Sequence, residues 1–150
     1  MPHSYVSCLM HCVFSTKDRR PWLSPDIRGR LFPYMTGIAR GDEVTPLAIG
    51  GVEDHVHMLI SPPAAMPVAK AVQLIKGTSS KWVHDTFPEL QDFAWQEGYG
   101  AFSVGISQVA GTIAYIEGQQ AHHRRRTFQE EFLLFLQKHG IEYDPRYVWG

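Results

Sequence analysis

Apolar and polar positions alternate with two different periods along the chain, and each change of period marks an element. Residues 4–15, SYVSCLMHCVFS, are rich in β-branched and aromatic types without a breaker and predict a long strand, one face of which carries Tyr5, Ser7, Leu9, His11 and Val13. The next stretch, SPDIRGRLFPYMTGIARGD, predicts a helix with Ser24 as N-cap, Pro25 at its first position, a kink at Pro33 and a stop at Gly41. Two short apolar runs, Val44 to Gly51 and His55 to Ser61, flank Val52-Glu53-Asp54 and predict an antiparallel hairpin. Pro67 opens a second amphipathic helix with Val68, Val72, Leu74, Ile75 and Trp82 on its apolar side and a weak point at Gly77. Ala101 to Ser107 predicts a fourth strand, and Ser107 is placed to cap a third helix with Val109, Ile113 and Ile116 at helical spacing. Thr127 to His139 predicts a last helix: Thr127 and Glu130 fit a capping box, Phe132, Leu133 and Leu136 form its stripe, and Gly140 ends it.

The order β-α-β-β-α-β-α-α is that of an α+β, ferredoxin-like split βαβ sandwich, with an antiparallel sheet and a C-terminal helical extension. Such a fold hosts many activities and decides none.

Composition narrows the possibilities. With 150 residues and 44% hydrophobic content the chain is expected to form a single domain spanning 1–150. Its longest apolar stretches are broken within about ten residues, whereas a membrane helix needs roughly 20, and the N-terminus lacks the basic-then-apolar order of a secretory signal. The expectation is a cytoplasmic protein with no membrane partner. Cys8 and Cys12 lie four residues apart on one predicted strand, roughly 13 Å, which is too far for a mutual disulfide. Fourteen Lys and Arg against fifteen Asp and Glu leave a net charge of -1, so no global basic footprint announces a nucleic-acid protein. The charge is nevertheless segregated. Lys17, Arg19, Arg20, Arg28, Arg30 and Arg40 face only Asp18 and Asp26, and Lys70, Lys76 and Lys81 have no acid among them, while Asp85, Glu89, Asp92 and Glu97 follow as an acidic block. Oppositely charged solvated faces would explain this as well as a polyanionic partner would.

The sharpest local feature is Asp54-His55-Val56-His57. On a strand, His55 and His57 project from the same side, within reach of one cation, which makes them a two-imidazole half-site. Exposed or hydrogen-bonded histidines are the plainer alternative. Tyr115 and Gln119, four apart on the third helix, share one face with ~6 Å of rise between them. The plainer alternative here is a core tyrosine beside Ile113 and Ile116 and a solvated glutamine.

These residues sit in longer matching stretches. DHVHMLIS at 54–61, WQEGYGAFSVGIS at 95–107 and YIEGQQAHH at 115–123 followed by RRRTF, together with STKDRRP at 15–21 and KGTSSKW at 76–82, resemble the single-tyrosine HUH transposases of the IS200-like insertion-sequence family, REP-associated tyrosine transposases included. The resemblance implies that His55, His57 and Gln119 hold a divalent cation, Mg²⁺ or Mn²⁺, and that Tyr115 is the nucleophile. It also implies hairpin-forming single-stranded DNA as substrate, a covalent 5′-phosphotyrosine intermediate with release of a 3′-hydroxyl, and a homodimer with paired sheets. In many members the tyrosine helix of one protomer reaches the histidines of the other. An apolar first strand left at a sheet edge would need such a partner. One departure is visible: family members usually carry Asn before the glutamine, whereas Gly118 stands here and should loosen the helix by up to ~1 kcal/mol relative to Ala.

The chemistry is consistent in itself. Charge builds on the oxygens of an attacked phosphodiester, and a cation there polarises phosphorus and neutralises that charge. A tyrosine, with an ordinary pKa of about 10, needs a nearby cation or base to attack as phenolate. Zinc would be expected to recruit a third His, a Cys or a carboxylate, and Asp54 is expected to point away from the histidine face. Phosphate contacts are expected from Lys17, Arg19, Arg20, Lys76, Lys81, Arg124, Arg125 and Arg126, with Trp22, Trp82 and Tyr99 as candidates for stacking on unpaired bases. Core packing of the tryptophans and helix-end placement of the arginines are the competing explanations. Two rival functions remain open: a domesticated, non-catalytic nucleic-acid-binding protein of the same fold, and a small metal hydrolase acting on a soluble substrate.

Overall fold

A computed structural model describes residues 4–119, 121 and 126–149. Strand β1 (Leu9–Ser15) leads through a tight turn at Lys17–Arg19 into helix α1 (Pro25–Gly41), the hairpin β2 (Thr45–Gly51) and β3 (His55–Ser61), helix α2 (Val68–Thr86), β4 (Gly100–Val104), α3 (Val109–Glu117) and α4 (Phe128–Lys138). The four strands form one antiparallel sheet in the order β2-β3-β1-β4. This is the ferredoxin-like α+β arrangement, extended by two helices.

Several boundaries move from where the sequence puts them, each for a local reason. β1 begins at Leu9 because its neighbours stop there: the last paired residues are Val104 on β4, opposite Leu9, and Ile60 on β3, opposite Met10. Residues 4–8 therefore find no ladder and stay exposed. β1 is an interior strand, paired on both sides, so it does not present an edge that calls for a partner; β2 and β4 are the edges. β4 ends at Val104 because Ile106–Gln108 form a single 3₁₀ turn, which the Gln108 side chain caps by accepting from the Gly105 N–H. Ser107 lies inside that turn and is not the N-cap of α3, which starts at Val109. α1 runs through Pro33 as one helix, held on both sides by the fully buried Leu31 and Met35. The caps at Ser24 and Thr127 form as their residue types require: Ser24 accepts from the Ile27 N–H, and Thr127 with Glu130 makes a reciprocal capping box.

Strand alternation divides the sheet into two faces with different contents. Cys12, Phe14, Val56, Met58 and Ile60 pack with α1 and α2 into the larger apolar core, where Leu31, Met35, Ala39, Val72, Ile75 and Val83 close the gap. His11, Val13, His55, His57 and Phe102 belong to the opposite face, which α4 covers with Phe128, Phe132 and Leu136 and α3 with the buried Ile116 against Gly50. Glycine matters where the sheet meets α3. A Cβ on Gly50 of β2 would lie 2.1 Å from the Ile116 carbonyl oxygen, so only a residue without one lets the end of α3 settle directly on the sheet.

Both cysteines are free, Cys8 exposed and Cys12 buried, as their spacing on one run of chain requires. Among the described residues no helix is long and apolar enough to cross a membrane.

Candidate active site

His55 and His57 stand at the start of β3 and turn their rings to the α3–α4 face, where both are completely buried. Each ring is fixed from behind. His55 Nδ1 is 2.7 Å from the Asp54 carboxylate, to which it donates, leaving Nε2 to face inward. His57 Nδ1 lies 2.7 Å from His11 Nε2 on the neighbouring strand. Burial and the adjacent His57 hold His11 down at about 3, so at neutral pH it is an uncharged imidazole able to accept from the His57 Nδ1–H. A carboxylate or imidazole orienting the far nitrogen is the usual support for a metal-binding histidine. Asp54 thus does not enter the site; it sets the ring that does.

The end of α3 comes to the same point: Tyr115 lies within the helix, whereas Gly118 caps it and Gln119 stands just past the cap, not on the helix where the sequence spacing put it. Gln119, almost wholly buried, donates through Nε2 to the Tyr115 carbonyl at 3.3 Å, and this directs Oε1 to within 3.2 Å of His55 Nε2. The Tyr115 hydroxyl donates to the Glu131 carboxylate. Tyr115 lies edge-on to His57, ring centroids 5.7 Å apart. The structure therefore brings His55, His57, Gln119 and Tyr115 of a single chain into one cluster.

At the centre of that cluster is a residue the sequence reading did not single out. Glu131, on α4, places Oε1 2.7 Å from His57 Nε2 and 3.5 Å from His55 Nε2, while its other oxygen receives the Tyr115 hydroxyl. A signal for it existed: with Phe128, Phe132 and Leu136 it occupies the buried face of α4, an acid where the helical period calls for an apolar residue. His11 was likewise legible only as a member of one strand face.

The charges of the cluster are interlocked. Burial disfavours the protonated form of His55, yet its hydrogen bonds to Asp54 and Glu131 outweigh burial and raise it to about 9. Burial also works against the ionised Glu131, but hydrogen bonds from His55, His57 and Tyr115 hold its carboxyl far below the ordinary carboxylate range. Burial and the neighbouring Glu131 charge push the Tyr115 phenol well above its ordinary value. The set His55, His57 and Glu131 offers three ligand atoms within 4.8 Å of one another, and the Gln119 amide oxygen joins them at His55. Neighbouring ligands around a cation of the Mg²⁺ or Mn²⁺ type are separated by roughly 3 Å. The donors present fit such an ion; Glu131 also supplies the carboxylate that zinc would be expected to recruit and that the sequence reading took to be lacking, so this donor set does not set zinc aside.

The basic and aromatic candidates are scattered. Arg126 lines a cavity beside Tyr115. Arg19 lies over the Trp149 ring and Arg20 over Trp22, both close to the exit of β1 that also carries Lys17. Lys76 and Lys81 are on α2, in the layer across the sheet from Tyr115. Lys76 donates to the Gln96 and Gly98 carbonyls at 2.5 and 2.9 Å, and burial lowers its ammonium to about 8, so it fastens the loop before β4. Lys81 pairs with Asp85 at 2.8 Å. Trp82 stacks on Tyr34 at 4.5 Å, and Tyr99 packs against the larger core. Arg124 and Arg125 lie outside the described residues.

Comparison with known proteins points one way. Residues 4–119 match the family model described as "Transposase IS200 like". The transposase for insertion sequence element IS200 of Salmonella typhimurium is 28% identical over 111 residues, covering 70% of this chain and 72% of that protein. The ISDra2 transposase TnpA of Deinococcus radiodurans is 24% identical over 114 residues, covering 73% of this chain and 81% of that protein. Among solved structures, a REP-associated tyrosine transposase bound to a REP hairpin shares the fold with a TM-score of 0.60 at 15% identity, over 82% of this chain and 73% of that one. Helix α4 and Glu131 lie beyond the stretch that the family model matches.

Proposed function

Because the chain belongs to the IS200-like transposase family and is on that ground a DNA-cleaving transposase, we propose that it cuts and rejoins single-stranded DNA through Tyr115, assisted by a divalent cation held by His55, His57, Gln119 and Glu131. The observation that carries this reading is the meeting of the Tyr115 hydroxyl with two inward-facing imidazoles across a single carboxylate.

Mg²⁺ or Mn²⁺ at the paired imidazoles would polarise the phosphorus, offset charge on its oxygens and lower the cost of a phenolate nearby. The protein's own groups do the rest. Asp54 and His11 keep His55 and His57 facing inward. Gln119, just past the end of α3, is tied by its side chain to the Tyr115 carbonyl, which couples the ligand to the helix that carries the nucleophile. In cleavage the Tyr115 oxygen forms a bond to phosphorus, its proton passes to the Glu131 oxygen that already accepts it, and the bond from phosphorus to the 3′-oxygen breaks. The 5′-phosphate stays on tyrosine, the leaving 3′-oxygen takes a proton from water and Glu131 gives up the tyrosine's proton to solvent, so the step balances and conserves a reactive ester for rejoining. Hairpin-forming DNA is the substrate favoured by the resemblance, in line with the hairpin carried by the structural relative.

The test is cleavage of labelled hairpin oligonucleotides drawn from inverted repeats beside the coding sequence, with Mn²⁺ or Mg²⁺. A covalent protein–DNA adduct is expected with the wild-type chain and none with Tyr115→Phe. An adduct that persists in Tyr115→Phe rejects the nucleophile.

A further inference from the structure

Beside Tyr115 a cavity of about 510 Å³ opens between β4, α3 and α4. Its size falls within the roughly 300–1,000 Å³ of small-ligand pockets, and its walls differ in chemistry. One wall is aromatic: Phe102 stacks on Phe135 at 5.1 Å with an interplanar angle of 19°, and His139 lies 5.0 Å away on Phe102. The facing wall is one side of α3 and the turn before it, where Gln108, Gly111, Thr112 and Tyr115 follow one another at helical spacing. Arg126 and Lys138 bring positive charge to the lining.

We infer that this cavity holds one unpaired nucleotide of the DNA strand, the neighbour of the phosphate that Tyr115 attacks. The inference rests on the transposase reading and deepens it. Any strand that presents a phosphate to the Tyr115 hydroxyl must run its adjoining sugar and base along the surfaces next to that hydroxyl, and the cavity is such a surface. An aromatic wall offers the π-face on which every base stacks. Arg126 and Lys138 complement the flanking phosphate. Gln108 and Thr112 supply hydrogen-bonding groups to base edge or sugar. Phe135, Lys138 and His139 come from α4 and the residue that caps it, so this wall is built by residues beyond the stretch matched by the family model.

Gly111 provides the test. A Cβ added there meets nothing within 4 Å, so a larger side chain can start into the cavity without a clash at its root, and replacing a helical glycine favours the helix. Thymidine 3′,5′-bisphosphate and its adenine counterpart serve as probes, followed by NMR shifts of the Gly111 and His139 amides, with inorganic phosphate as a separate arm. The expectation is saturable binding of both nucleotides by wild type, inorganic phosphate at least tenfold weaker, affinity within about twofold in Gly111→Ala, and at least tenfold loss in Gly111→Phe with an undiminished melting temperature. Equal binding of nucleotides by Gly111→Phe, equal binding of inorganic phosphate, or no nucleotide binding by wild type overturns the assignment. Since these probes have no scissile bond, the result is independent of adduct formation by Tyr115, and the two readings can fail separately.

Discussion

Glu131 ties three groups that would otherwise repel or waste one another. Its negative charge stabilises the protonated His55, satisfies His57 and holds the phenol proton of Tyr115 in place. Removing the charge while keeping the shape separates these roles. Glu131→Gln is expected to weaken Mn²⁺ binding at least tenfold by calorimetry and to slow adduct formation by two orders of magnitude or more, because both an anionic ligand and the proton acceptor are lost. His55 makes the metal-free protein sensitive to pH. Its raised value, about 9 against 6.5, means that the folded state binds its proton more tightly than the unfolded state does. That contribution, at most about 3 kcal/mol, is fully present below pH 6.5 and is lost as pH rises through 9. Denaturation of chelator-treated protein across this window should show the decline, and His55→Gln should flatten it. A cation competes with that same proton, so metal affinity should climb over the same range; affinity unchanged by pH would argue that His55 is not a ligand.

At the level of elements, the position of α3 is set by what β2 lacks. Gly50 lets the Ile116 carbonyl come against the strand, and Tyr115 and Gln119 are placed by that contact. Gly50→Ala must push the helix outward, and cleavage is expected to fall at least a hundredfold while far-UV circular dichroism stays native in form; full activity would show that α3 reaches the histidines by another route. α4 depends on its cap in the same way. Thr127→Ala removes the reciprocal bond with Glu130 and should cost about 1 kcal/mol, read as a lower melting temperature. The elements themselves were legible wherever local chemistry dominated: Ser24, Thr127 and Gly140 mark helix ends by capping rules that hold whatever surrounds them. The start of β1 and the end of β4 were not, because a strand ends where its neighbours end, and pairing partners are a property of the assembled sheet. The same division applies to the cluster around Tyr115. The histidine pair is a periodic pattern within β3; the tyrosine–glutamine pair is local but spans the cap of α3 at Gly118, and Glu131 and His11 join them only through contacts between α4, β1 and β3.

Across the whole molecule, the sheet separates a conventional apolar core on one side from a polar, aromatic-rimmed cluster on the other. Every group of that cluster belongs to one chain, so completion within a protomer is the geometry seen. Mixing Tyr115→Phe with His57→Ala protein should therefore restore no cleavage; recovery of about a quarter or more of wild-type activity would require exchange of helices between copies. The chain's two thiols also differ in exposure. Cys12 is buried with its thiol pushed up to about 12, while Cys8 stands in the exposed run ahead of β1. A maleimide dye should therefore attach at a single native position, immediately ahead of the strand whose His11 supports His57, giving a reporter of substrate arrival without any engineered cysteine.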